Sequence, residues 1–116
     1  MAEALVNSGQ AAEAYRTHAL ILERMRSKES AGSRRLLRAE AGLFYKMSLA
    51  AGQQRDQRDA QIRNLQQALH AVRTLETSLS SDGYQPSETV QSLEKKILAD
   101  LRQVRESMET RELQWI

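Results

Sequence analysis

The chain has no cysteine, one proline, five glycines and, among its 116 residues, one phenylalanine and one tryptophan. Without cysteine there are no disulfides and no thiolate metal sites, which fits a reducing compartment. With few β-branched and aromatic residues, an all-β or sheet-centred fold has little to build from. Nowhere does an apolar run approach the ~20 residues a membrane-spanning helix needs. "MAEALVNSGQ" (Met1 to Gln10) has neither the basic start nor the apolar stretch of a signal peptide. The expectation is a cytoplasmic protein with no transmembrane segment.

The chain is rich in Ala, Leu, Gln, Glu and Arg, the residues that form helices best. The predicted fold is all-α, one helical domain over 1–116 with a single core. Three main helices are expected, at about 9–29, 33–80 and 86–112. In the first, Leu5, Ala12, Tyr15, Ala19, Leu22 and Met25 recur at helical spacing, and Ser8 is placed to cap its start. "SAGS" (Ser30 to Ser33) breaks the pattern, and Ser33 can cap the second helix. "SSDGYQPSE" (Ser80 to Glu88) is the second clear break, with a turn at Asp82-Gly83 and Pro86 suited to a first helical turn. The last helix carries one stripe: Val90, Leu93, Ile97, Leu101, Val104 and Met108.

The middle of the chain poses the architectural question. From Gly52 to Gln61, "GQQRDQRDAQ" holds Ala60 as its only apolar residue. Yet Leu37, Phe44, Ala51, Arg58, Leu65, Val72 and Leu79 keep heptad spacing straight through it, and Ala41, Ser48, Arg55, Ile62, Leu69 and Glu76 interleave with them. A loop has no reason to preserve that phase. The expectation is therefore one long, coiled-coil-like central helix, interrupted at most near Gly52. It would carry an N-terminal hairpin (about 1–51) and a C-terminal hairpin (about 52–116) at opposite ends. Within its first half, Gly42 costs about 1 kcal/mol relative to Ala, which a close helix crossing would explain.

Chemistry is sparse. His18 and His70 have no second His or Glu at ligand spacing, and no metal, cofactor or catalytic constellation is readable. The chain is not expected to be an enzyme. Net charge is +2, with much of the excess in Arg24, Arg26, Lys28, Arg34, Arg35 and Arg38 around the first turn. Glu23, Glu29 and Glu40 dilute that cluster, and stacking aromatics are lacking, which disfavours nucleic acid.

"GQAAEAY" (Gly9 to Tyr15) resembles the glycine–alanine–aromatic spacing in a helix of tetratricopeptide or microtubule-interacting-and-trafficking repeats. "LLRAEAGL" (Leu36 to Leu43) is similar to the third helix of the latter. The resemblance implies a groove that takes a partner's amphipathic helix. It covers only these stretches; their spacing is short for that family, and a long later helix departs from it.

The functional expectation is a non-enzymatic helical protein–protein interaction module (adaptor, scaffold, chaperone-like or assembly subunit) working by helix-on-helix burial. Its partner is another protein's helix or a second copy, as a homodimer or higher oligomer. The expected contact residues are Leu36, Leu43, Phe44 and Met47; Ile62, Leu65, Leu69 and Val72; Val90, Leu93, Ile97 and Leu101; and Trp115 near the C-terminus. The alternative is a compact bundle that binds an acidic partner (nucleic acid, anionic lipid or acidic protein) through the basic cluster at 24–38.

Overall fold

A computed structural model describes residues 2–54 and 57–114, with side chains described for 9–54 and 57–108. Four helices follow one another: α1 (Ala2–Lys28), α2 (Arg34–Gly52), α3 (Arg58–Ser81) and α4 (Glu88–Gln114). No strand is present among the described residues. Each helix packs antiparallel on the one before it, and α4 also touches α2.

Helix α1 begins earlier than the sequence suggests and runs on through Asn7, Ser8 and Gly9. Gly9 lowers helix stability by only about 1 kcal/mol, too little to end a helix with alanines on both sides of it. At α2 the expected cap is in place: the Ser33 hydroxyl accepts from the Leu36 N–H at 3.1 Å. Gly32, at φ 83°, supplies the left-handed residue of the preceding turn. Gly83, at φ 79°, does the same after α3. Helix α4 starts just past Pro86, with the Ser87 hydroxyl accepting from the Val90 N–H at 3.3 Å.

The long central helix is corrected: it is two helices folded back on each other. A continuous helix over 33–80 would measure ~70 Å, whereas the longest extent of the molecule is 49 Å. Helix α2 ends in a tightened turn, in which the Gln53 N–H reaches the Ala50 carbonyl at 3.3 Å and the Gln54 N–H reaches that of Ala51 at 3.1 Å. Two contacts fix the register of the return. Arg34 donates to the Ser78 hydroxyl at 3.1 Å and to its carbonyl at 2.8 Å. At the other end the Gln61 side chain lies so close over Gly52 that a Cβ there would sit 2.8 Å from its Nε2. Between these anchors the register sets Leu37 opposite Leu75, Ala41 opposite Ala71, Phe44 opposite Ala68 and Ser48 opposite Asn64.

Burial explains why folding back wins. In one rod, the apolar faces of the two halves could not cover each other. Folded, Leu37, Phe44, Met47, Leu65, Val72 and Leu75 enter one core together with Leu22, Ile97 and Leu101. Each fully buried side chain of this size contributes roughly 1.5–3 kcal/mol. The few backbone hydrogen bonds lost in the polar stretch, at roughly 1 kcal/mol net each, are outweighed. The heptad phase is real on each side of the break, but the residues sharing it face one another across a hairpin.

Two polar side chains are buried at the α2–α3 seam, Ser48 and Asn64. The Ser48 hydroxyl donates to the Tyr45 carbonyl at 2.5 Å. The Asn64 amide donates to the Ala60 carbonyl at 2.8 Å and to the Tyr15 hydroxyl of α1 at 2.9 Å. The second of these bonds links α1 to α3.

Candidate functional site

The expected contact residues fall into three groups. Leu36, Phe44, Met47, Leu65, Val72, Val90, Ile97 and Leu101 are buried in the protein's own interior. Leu43, Ile62, Leu69 and Leu93 are half-buried against the same core. Trp115 lies outside the described residues. The α2–α3 fold-back, with α4 laid over it, covers the faces of the first group that a continuous helix would have left open.

The basic cluster is likewise divided. Arg26 pairs with Glu40 at 3.1 Å and lies over the Phe44 ring at 5.4 Å. Arg34 pairs with Asp82, bonds Ser78, and lies 5.8 Å from the centre of the Tyr84 ring. It ties the start of α2 to the α3–α4 turn. Arg35 stands 3.5 Å from Glu29. Among the described residues, only Arg24, Lys28 and Arg38 of the six make no ion pair. Half of the cluster's charge is committed within the fold, where it fixes turns.

Two further features join helices. Tyr45 of α2 faces the Asp100 carboxylate of α4, and its pKa is raised by burial first, then by hydrogen bonding to that carboxylate and by its negative charge. Because the folded pKa lies above the unfolded value of about 10, this contribution is complete below pH ~10 and is lost as pH rises through the folded pKa. Tyr45→Phe is expected to lower stability by about 1 kcal/mol at neutral pH. It should also flatten the decline in unfolding free energy above pH ~10. Urea unfolding of both proteins between about pH 8 and 11 measures this, and parallel curves would contradict it.

The second is a groove between α3 and α4, on the side that α2 does not reach. It holds about 640 Å³. Leu69, Leu98 and Leu101 form its floor, and Arg73, Arg102, Arg105 and Glu106 its rim. Leu98 is 39% exposed. Helix periodicity creates the arrangement: Leu98 and Leu101 are three apart, as are Arg102 and Arg105, so both pairs project to one side of α4. Leu69 and Leu101 were legible from the seams. Leu98 was missed because it falls off the Val90–Met108 stripe, and the three arginines because they read as an ordinary solvated face. An apolar residue beside the stripe, followed by basic residues at its own helical spacing, was the available signal.

Among the described residues, no group of three His, Cys, Asp or Glu side chains gathers where it could hold a metal. No helix among them is long and apolar enough to cross a membrane. His18 Nδ1 is buried without a partner, in a shallow hollow between α1 and α2 that Lys46 also lines. His70 is exposed. Comparison with protein-family models, curated proteins and solved structures yields no match. The two short stretches that resemble helical repeats thus carry no family assignment, and the functional reading rests on the surfaces just described.

Proposed function

We propose that this chain is a non-enzymatic helical interaction module, an adaptor or assembly subunit, that presents the α3–α4 groove to an acidic amphipathic helix of a partner protein. One observation carries the reading: a groove in which the exposed Leu98 lies beside the half-buried Leu69 and the buried Leu101, under a rim of three arginines and one glutamate. Apolar residues at every third or fourth position of a partner helix would cover Leu69, Leu98 and Leu101. Carboxylates flanking them would meet Arg73, Arg102 and Arg105. Self-association through Leu65, Val72 and Ile97 has less support, because these side chains are fully buried in the internal core. The basic-surface reading keeps its charge requirement but moves from residues 24–38 to 73–105.

A designed amphipathic peptide tests this, with leucines on one face and glutamates flanking them, set against the same peptide with lysines in place of the glutamates. Fluorescence anisotropy should show the acidic peptide binding at least about tenfold tighter than the basic one. Added salt should weaken that preference, since rim charges are screened over ~8 Å at physiological ionic strength. Leu98→Asp should abolish binding without loss of helix. Equal affinity for both peptides, or binding indifferent to Leu98→Asp, would sink the proposal.

A further inference from the structure

Gly42 sits inside α2, where glycine is a destabilising choice relative to alanine. The close helix crossing expected to explain it is not there: a Cβ built on Gly42 meets nothing within 4 Å. Beside it lies a cavity of about 380 Å³ where α2, α3 and the start of α4 converge. Val72 and Leu75 close its floor, and Val90 and Leu93 of α4 wall it. Arg38 stands at its mouth, one helical turn before Gly42. Arg38 makes no ion pair among the described residues. Ser87, the cap of α4, lines the same mouth, so the first free N–H groups of that helix add a positive partial charge beside the guanidinium. Glu88 does not line the cavity.

We infer that this cavity is a binding site for a small amphiphilic monocarboxylate, a medium-chain fatty acid or an acid of similar shape. The volume lies at the low end of the range for small-ligand pockets. Apart from Thr89 near Ser87, the walls are aliphatic and match an alkyl chain. The mouth supplies an unpaired cation and a helix N-terminus, which match a single carboxylate. Gly42 has a role on this reading: its missing side chain is the space the alkyl chain occupies. The site is independent of the α3–α4 groove, which has no wall from α2.

Isothermal titration with decanoate, octanoate and decanol tests the assignment on the full chain. Decanoate should bind at a single site. Octanoate should bind more weakly, roughly fourfold for each CH₂ removed. Decanol, lacking the carboxylate, should bind at least about tenfold more weakly than decanoate, and Arg38→Gln should lose a similar factor. Gly42→Leu should fill the cavity and abolish binding. Gly42→Ala, which helix propensity favours and which folds readily, should weaken it in part. Leu98→Asp should leave decanoate binding unchanged. Absence of saturable binding, undiminished binding to both Gly42 variants, or equal affinity for decanol and decanoate would overturn the inference. So would displacement of decanoate by the acidic amphipathic peptide with the same dependence on Gly42, which would assign the cavity to a partner's side chain.

Discussion

Leu65→Asp is expected to unfold the domain. Leu65 is completely buried in α3, inside the core that all four helices share. An aspartate there finds no cation on the neighbouring core residues, which are aliphatic or aromatic. The substitution loses the leucine's burial, roughly 2–3 kcal/mol, and adds the desolvation of a carboxylate, several kcal/mol more. A domain of this size has roughly 5–15 kcal/mol of stability in total, so the loss consumes most or all of it. Far-ultraviolet circular dichroism should show helix content collapsing, with no cooperative urea transition left. The competing architecture makes the opposite prediction. On a long central helix, Leu65 would lie on a seam between chains, and Leu65→Asp would give a folded monomer of reduced mass. A variant that keeps its helix and a transition within ~1 kcal/mol of the parent would therefore favour the extended form.

The second large effect concerns a residue that looks harmless. Ala68→Phe should destabilise the protein by about 3 kcal/mol, the upper end of what overpacking ordinarily costs. Ala68 is fully buried, and counting along the antiparallel pair from the Arg34–Ser78 contact sets it level with Phe44. The seam around it is built of small residues: Ala41, Ser48, Ala51, Ala60 and Ala71 are each at most 8% exposed. They let the two backbones approach, and a second phenyl ring can enter only if the helices part. Ser48→Ala provides the control. The Ser48 hydroxyl is satisfied within its own helix by the Tyr45 carbonyl, so its removal should change stability by less than about 1 kcal/mol. Chemical denaturation of the two variants side by side measures both. On a continuous helix Ala68 would sit beside the heptad seam, and a phenylalanine there would be harmless. An Ala68→Phe protein as stable as the parent would refute the close α2–α3 seam.

These two positions show how much of the fold the sequence made legible. The all-α class, the break at Ser30–Ser33, the Ser33 cap, the turn at Gly83 and the α4 stripe are all readable, because each rests on local chemistry or on periodicity. The fold-back at Gly52 is not local. Between Leu37, Phe44, Leu65 and Leu75, much of its seam consists of Ala, Ser and Asn, residues that a hydrophobicity pattern counts as weak or polar. The residues of the break, Gln, Arg and Asp, have no strong objection to a helix. Only the mutual burial of two distant faces decides between rod and hairpin, and periodicity along one chain cannot register it. The site suffered in consequence. Residues such as Phe44, Leu65 and Ile97 looked like surplus apolar surface because the partner that covers them, the other half of the same chain, had been stretched out of reach. The α3–α4 groove and the cavity at Gly42 emerge only once that partner is in place.

Helix α1 stands apart from this arrangement. Among its described side chains only Ala11 and Leu22 are buried, and it packs on α2 with one hydrogen bond, Tyr15 to Asn64, reaching α3. Leu20 and Ile21 face solvent. The cohesion of the molecule is therefore uneven. Elements with few buried side chains tend to open below the global unfolding free energy, and α1 is one such element. Its departure would lift Arg26 from the Phe44 ring and so would uncover apolar surface of α2 that the closed molecule keeps hidden.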